Sequence, residues 1–573
     1  MASAPDTTAA ADRKVAAAPV APATAAPPDS LPQPAPRARL TPPASRSSVS
    51  ASRWPVLAAF AGLAAVYRAW SWVFPLQQGR DFHTYLSYFT QFFREAPADH
   101  QLMLFRTPGA PLFFGLLDRL GGPALVDAGL NLLYAASLAA LFAAARRAWG
   151  TLLASCLLGL LALLPSYNWA WHTVATESLT AAGTAFFAAA LLGAFARPGP
   201  WRWAVCGAWA FALVMARPSN QLAVAACLAC LAVPGLPARR RLALGASMLA
   251  AYCVLAGAWM AHNGLRYGEF TVSRGGAGLM PGHRVFLWDR LMAPGNGPAS
   301  ARLAEAVAAD LLPRPEYRAK GVDLELFFAA GDENMFADLL ALSDRAFGWE
   351  SNFSTLQKAA LEGVAARPLD YLAGVRDTLR LVFSVSEVEA HERIKARWPT
   401  PEIVKARRAA LGLPVEAPLG FTRIMDQSSA YWLESGSGRF APTPEERRAV
   451  REETAAMAAR YPDFMEAMRL GPWPTRVWHT LAAAWSWFFA LVPLGLGCLA
   501  ERDPGRRGSA RAALALWAAG LWVLGVTYLG VDAVFQLRSP FDPWFLLAAL
   551  AGARALAGRV RGSAASAAGP GRA

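Results

Sequence analysis

WPVLAAFAGLAAVYRAWSWVFPL, residues 54–76, runs directly into QQGRDFHTYL, residues 77–86. The first stretch is apolar over more than the roughly 20 residues that a helix needs to cross a hydrocarbon layer about 30 Å thick. Arg68 is its one charge. The second stretch turns polar at once, with Arg80, Asp81 and His83 close together. An apolar helix that delivers a charged loop to one membrane face is what these residues predict. Residues 1–52 are rich in Ala, Pro and Ser and cannot bury enough apolar surface to offset the entropy of ordering, so a disordered cytoplasmic tail is expected there. Trp54 to Leu76 is too long for the apolar centre of a cleavable signal and is expected to remain as an uncleaved membrane helix.

The pattern recurs along the chain. Its 573 residues are 55% hydrophobic and 17% charged, above the ~45–50% apolar content of ordinary soluble domains. Further candidate spans are Pro123 to Ala145, Thr151 to Leu164, His172 to Phe195, Trp201 to Ala216, Gln221 to Leu236, Leu242 to Ala261, Val477 to Leu499, Ala512 to Leu529 and Trp544 to Leu556. The expected fold class is an all-α polytopic membrane protein with about 10–12 transmembrane helices and a large outward-facing insertion. Arg146 and Arg147, Arg197 and Arg202, Arg239 to Arg241, Arg502 to Arg511 and Arg559 to Arg561 fall on one side together with Arg53. Cytoplasmic loops carry such an arginine excess, which puts the N-terminus inside. The alternation closes only if Thr107 to Leu120 does not cross, so a half-helix or an interfacial segment is expected there.

The resulting division is a tail at 1–52, a membrane core at 53–290 with a first outer loop at 77–106, an extracytoplasmic insertion at 291–472, membrane helices at 473–558 and a cytoplasmic tail at 559–573. Within the insertion, 368–385 is apolar at helical spacing and is expected along the interface. The net charge of +14 comes from arginine clusters at the ends of apolar runs rather than from one basic face, which argues against nucleic acid as a partner. The six cysteines all lie in apolar stretches, and Cys227 with Cys230 reads as a packed pair of small side chains. Arginine far outnumbers lysine and alanine is abundant, a composition that suggests a bacterial source and hence an inner membrane.

The chemistry-bearing residues gather on the outer face. Asp81, at the end of the first span, can accept a proton from an attacking hydroxyl; the other reading is an ion pair with Arg80 or Arg106 that fixes the loop. Glu177 is the one acid of its span and is expected in the bundle interior, or else satisfied by Trp169, His172 or water. Arg217-Pro218 and Arg538-Ser539-Pro540-Phe541-Asp542-Pro543 lie outside by parity, where the topology does not call for arginine. Guanidinium forks in such places suit an anion, phosphate above all, or a lipid headgroup.

Asp81 with Tyr85, Arg106-Thr107-Pro108-Gly109-Ala110-Pro111 and Glu177-Ser178 together resemble the GT-C membrane glycosyltransferases that use polyprenyl-phosphate sugars, closest to relatives of the protein O-mannosyltransferases and the aminoarabinose lipid A transferases. Trp259-Met260-Ala261-His262-Asn263, with Tyr267-Gly268-Glu269-Phe270 and Gly275 to Gly278 after it, resembles the family's Trp-x-x-Arg-Asn segment and Gly-rich outer stretch. Arg538 to Pro543 resembles the Arg-Tyr-x-x-Pro before its final span. Ala110, His262 and Ser539 depart from the family's Tyr, Arg and Tyr. The likeness covers roughly 54–290 and 475–556, and 300–470 matches no pattern.

The resemblance implies transfer of a monosaccharide from a polyprenyl-phosphate donor to an acceptor hydroxyl on a glycan, lipid or protein. It implies Asp81 as base, Glu177 orienting hydroxyls, and His83, Tyr85, Arg106, Arg217, Asn263 and Arg538 as substrate-binding groups. The lipid-linked sugar would be a substrate, with no cofactor. No metal is expected, since residues 77–106 hold no Asp-x-Asp pair. A transporter or lipid flippase, and an outer-face polysaccharide polymerase or ligase, are the alternatives. The insertion is expected to select the acceptor.

Overall fold

The structure, a computed structural model, describes residues 53–79, 81–274, 281–384, 399–414, 440, 442–462, 480, 488–530 and 535–567. The tail 1–52, Arg80, the Gly-rich stretch Gly275 to Gly278 and residues 477–479 and 481–487 of the expected span Val477 to Leu499 lie outside the described residues. Helix dominates, and among the described residues the strands are the two-residue β1 (Gln77–Gln78) and β2 (Thr173–Val174). The first half of the chain holds α1 (Trp54–Ser71), α2 (Phe82–Phe92), α3 (His100–Phe105), α4 (Gly109–Trp149), α5 (Thr151–Leu163), α6 (Pro165–Trp171), α7 (Thr176–Ala196), α8 (Pro200–Ala216) and α9 (Ala238–Tyr267).

Among the described residues, four helices are long and apolar enough to cross a membrane: α4, α7, α9 and Pro504–Gly530. A fifth counts if the bent pair α5 and α6 is one span. That is fewer than the expected ten or more, because several apolar runs form short, irregular or less apolar helices. Pro218–Ala232 is a case in point: its 15 residues adopt 3-10 geometry. At a rise near 2.0 Å per residue they extend about 30 Å, where an α-helix of the same length would reach about 22 Å.

Proline and glycine punctuate the bundle. α7 stops before Arg197-Pro198, α8 opens on Pro200, and Pro218 ends α8 by excluding its predecessor from helical geometry. α4 is interrupted at Gly121 and Gly122, the latter at φ 65°, with Pro123 following. The two halves fold back on each other, since a Cβ on Gly129 would lie 2.6 Å from Leu117 Cδ1. In an unbroken helix those residues would stand about 18 Å apart along the axis. The segment Thr107 to Leu120, expected as a half-helix or an interfacial segment, includes a short helical arm doubled against a long one.

α7 is buried on nearly every face, among α4, α8 and Pro504–Gly530. Its alanine-rich surface permits that close approach. A second core sits in the insertion, around Leu303, Phe327, Met335, Leu356 and Ala359, and it takes in Leu102, Met103 and Leu104 of α3. The insertion's core therefore begins at Gly282–Leu287, ahead of residue 291. Two buried arginines staple it. Arg274 donates to Asp344, Gln101 and the Trp349 carbonyl. Arg284 donates to Asp289, Thr378 and the Tyr528 carbonyl at the end of Pro504–Gly530. The expected interfacial segment is the helix Pro368–Ser384, with Leu369 and Leu372 exposed.

α8 and α9 meet closely at Gly207, where a Cβ would collide with the Met248 carbonyl oxygen. Both partners are helical backbone and neither can yield without moving a helix. Gly207→Ala is expected to lower unfolding stability in detergent by about 1–3 kcal/mol, read as a shifted melting midpoint; an unchanged midpoint would mean that the helices stand further apart than described.

Candidate active site

Two local dockings build the site. β1 pairs in parallel with β2, Gln77 opposite Thr173 and Gln78 opposite Val174. Gly79 continues the contact so tightly that a Cβ there would lie 2.7 Å from Ala175 Cβ. The chain leaving α1 and the chain entering α7 thus run side by side, and a helix starts just after each. Asp81 is the N-cap of α2 and Glu177 lies in the first turn of α7.

The second docking holds Arg106 to Pro111 against the end of α8. Thr107 Oγ1 donates to the Val214 carbonyl at 3.0 Å, and Gly109 packs on the Met215 carbonyl with no room for a side chain. Arg106, just before α4, is thereby carried toward Arg217, the N-cap of Pro218–Ala232.

Two ion pairs result. Arg106 Nη2 lies 2.7 Å from Asp81 Oδ2, and Arg217 Nη1 lies 3.0 Å from Glu177 Oε1. Tyr85 is buried beside them, with the Arg106 guanidinium 5.6 Å from its ring centre. Its phenol feels all four charges. Burial pushes it up to about 12, Asp81 and Glu177 add to the rise, and Arg106 and Arg217 oppose it. Tyr85 therefore keeps its proton at neutral pH and can donate a hydrogen bond.

The pairs expose opposite poles. In the first, the Asp81 side chain is 36% exposed and Arg106 17%. In the second, Arg217 is 28% exposed and Glu177 7%. Asp81 also has its backbone in the left-handed region, at φ 61°, and its carboxylate makes no capping bond to α2. A non-glycine residue held there carries strain, a feature that gathers at working sites. Its carboxylate is committed to Arg106 instead of to its own helix.

Four helices begin around these side chains: α2, α4, α7 and Pro218–Ala232. Helix starts present unpaired N–H groups and positive potential, which attract anions and disfavour cations. Two helices also end there, α3 at Arg106 and α8 at Arg217, and a helix C-terminus favours a cation.

Of the remaining expected residues, Arg538 and Asn263 are held by other partners. His83 is partly buried, edge-on to Phe82. Arg538 is buried, 3.1 Å from Asp542, and donates to Ser166 Oγ and to the Val382 carbonyl. Asn263 Nδ2 donates to the Thr271 carbonyl and Trp259 Nε1 to that of Val272, so both pin the chain after α9. Arg68, within the first span, pairs with Asp127 but keeps over half its side chain exposed. Glu177 meets Arg217 rather than Trp169 or His172.

Sequence reasoning missed a third charged group. Asp118, fully buried on the short arm of α4, accepts from Tyr461 Oη at 2.8 Å and pairs with Arg460 at 2.7 Å. Gln78 donates to the Tyr461 and Pro462 carbonyls, and Tyr461 stacks edge-on to Phe82. The insertion thereby returns over the Asp81 loop. A lone acid in the apolar run Leu112 to Leu117 and beyond was the available signal. Among the described residues, no three His, Cys, Asp or Glu side chains cluster as a metal site would require.

Arg217→Gln leaves Glu177 buried without its cation. A loss of about 2 kcal/mol is expected, below the figure for a fully enclosed pair because Arg217 reaches solvent. Glu177→Gln with Arg217→Gln should recover most of it, and additive losses in a double-mutant cycle would show that the two side chains do not interact. No protein-family model, curated protein or solved structure matches this chain, so the functional reading rests on this arrangement of side chains.

Proposed function

We propose that the chain is a multi-pass enzyme of the bacterial inner membrane, of GT-C type, with its N-terminus in the cytoplasm. In this reading it transfers a monosaccharide from a polyprenyl-phosphate donor to an acceptor hydroxyl on the extracytoplasmic face. The observation that carries the reading is the placement of two paired arginines where four helices begin, beside an exposed carboxylate. Such a site receives a phosphate and offers a base next to it.

The chemistry follows from the charges. The Asp81 carboxylate takes the proton of the acceptor hydroxyl as its oxygen attacks the anomeric carbon. The bond from that carbon to the phosphate oxygen breaks on the opposite face, so the centre inverts. The lipid phosphate departs with the electron pair, and guanidinium groups stabilise the charge that develops on it. Tyr85, protonated and buried, is placed to hold a substrate oxygen by hydrogen bonding.

Sidedness supports the same reading. α7 separates the site from Arg197 by 21 residues, about 32 Å. The exposed arginines Arg147, Arg197, Arg239 and Arg240 belong to the far ends of α4, α7 and α9. A transporter would be expected to hold its charges near the middle of its spans. Here they sit at helix ends, as suits an enzyme working at the membrane face.

Purified protein supplied with undecaprenyl-phosphate sugars and a membrane-lipid or glycan extract should release free undecaprenyl phosphate. Asp81→Asn, which keeps shape but cannot take a proton, should cut the rate by about 10²–10⁴ in a variant that stays folded, its melting midpoint lowered by the loss of the ion pair with Arg106. Full activity in a folded Asp81→Asn variant would remove Asp81 as base. Movement of intact donor across vesicles without cleavage would favour a flippase.

A further inference from the structure

The end of the bundle opposite the candidate active site carries an open groove. Val492–Ala500 takes 3-10 geometry and packs between Pro504–Gly530 and Asp542–Ala567. Three contacts seat it. Trp517 Nε1 donates to the Val492 carbonyl at 2.7 Å, Cys498 Sγ donates to the Ala548 carbonyl at 3.5 Å, and a Cβ on Gly497 would lie 2.7 Å from the Gly552 carbonyl oxygen. Beside those contacts lies a groove of about 410 Å³, lined by Pro493, Leu496, Leu499, Ala500, Leu556 and Arg559. Its three leucines are exposed.

The turn that follows Ala500 fixes where this groove sits. Arg511 Nη1 donates to the Ala232 carbonyl at 3.0 Å, and a Cβ on Gly508 would lie 3.6 Å from the Phe195 carbonyl oxygen. Both contacts are at the last turns of helices that begin at the candidate active site, α7 and Pro218–Ala232. The groove is therefore a helix length away from that site. Charge at this end is unbalanced, with seven arginines and two acids in 501–511 and 554–561. Both acids are engaged, Glu501 by Arg554 at 4.0 Å and Asp503 by Arg506 at 3.5 Å. Among the described residues no carboxylate pairs with Arg502, Arg559 or Arg561, and all three are exposed. Arg559 is the one that also lines the groove, about one turn past Leu556.

From Pro493 to Ala500 the groove wall extends about 14 Å at the 3-10 rise. One leaflet of a hydrocarbon layer about 30 Å thick has nearly that depth. An apolar groove as deep as a leaflet, with a cation at its end, fits an apolar chain that terminates in an anion, and basic pockets between helices hold anionic headgroups in this way. We infer that the groove binds an anionic glycerophospholipid of the leaflet opposite the candidate active site. One acyl chain lies along Leu496, Leu499 and Leu556, and the headgroup phosphate rests on Arg559. The site is independent of the transferase reading, since it uses neither the donor nor any residue of the two ion pairs. Orientation accounts for arginines at this end, but not for a leaflet-deep groove beside one of them. A lipid seated there bridges Val492–Ala500 and Asp542–Ala567 and stabilises the folded bundle.

Binding of phosphatidylglycerol and of phosphatidylcholine with the same acyl chains to the full-length protein in neutral detergent tests this, read by native mass spectrometry and by the melting midpoint. Phosphatidylglycerol should bind at least about tenfold more tightly and raise the midpoint. Arg559→Gln should weaken phosphatidylglycerol at least about tenfold, the scale of one charge-assisted hydrogen bond, and leave phosphatidylcholine within about twofold. Arg559→Lys should retain most of the affinity. Arg197 is exposed at the same end and does not line the groove, so Arg197→Gln should change binding less than about twofold. Leu496→Trp, which puts a larger side chain into the groove, should weaken both lipids. Equal weakening by Arg197→Gln and Arg559→Gln would reduce the effect to general surface charge and overturn the site. Displacement of the lipid by glycerophosphoglycerol, the headgroup without chains, at equal concentration would assign Arg559 to a free anion and overturn the lipid ligand. A dimer that phosphatidylglycerol does not dissociate and that Leu496→Trp abolishes would give the groove to a second copy of the chain, which also overturns it.

Discussion

Arg106 and Arg217 each stand at a junction where one helix ends and the next begins, Arg106 as the C-cap of α3 ahead of α4 and Arg217 as the C-cap of α8 ahead of Pro218–Ala232. Each is paired with an acid from a different part of the chain. Asp81 and Glu177 come from sequence positions almost a hundred residues apart, and the two-residue ladder between β1 and β2 is what brings their helices to a common origin. The docking of Gly109 on Met215 does the same for the arginines. Much of the irregular structure at this end of the bundle follows: a parallel pair too short to be stable alone, a glycine pressed on a helix end, and an aspartate in left-handed geometry. Each is locally unfavourable and is held by what surrounds it.

The apolar helices were legible because lipid-length runs and prolines mark them, and the break in α4 was legible because arginine sidedness fails without it. Asp81, Arg106, Glu177 and Arg217 could be singled out since a charge at the edge of an apolar run is costly and needs a reason. Their pairing could not be read, since it depends on a short non-local ladder and one close backbone contact. Arg538 shows the opposite limit. It met the same criterion, yet its acid partner stands four residues along the same chain, at Asp542. That spacing puts two side chains on one helical face, so a local partner was readable before an external anion needed to be invoked. Asp118 escaped notice for a related reason: the adjacent Arg119 makes it look like part of a solvated pair, whereas its carboxylate is sealed under Tyr461 and Arg460.

The insertion is tied into the site at several points. α3 contributes to the insertion's core, Arg274 holds that core to Gln101, and the helix Pro444–Ala458 lies along α2 before the chain passes over Gln78. α2, which carries Tyr85 and follows Asp81, is thus clamped between the bundle and the insertion. A loop carrying a base cannot wander if the base is to meet a hydroxyl within hydrogen-bond reach. The position of the Asp81 carboxylate therefore depends on residues far along the chain as much as on the span that precedes it.

Two populations of arginine separate along α7. At its C-terminal end Arg197 is exposed, and a cation there complements the dipole with no specific partner required. At its N-terminal end Arg217 is tied to Glu177 and faces a cleft with one polar end and one apolar wall. Residue type is the same at both ends and environment differs. Positive charge that serves orientation can be moved by a residue or two without loss, because only its side of the membrane matters. Arg217 has no such latitude, because it is fixed by a carboxylate at 3.0 Å, by the proline that ends α8 and by the turn that follows. Arg217 is thus fixed twice over, as the residue that ends α8 and as the partner of Glu177.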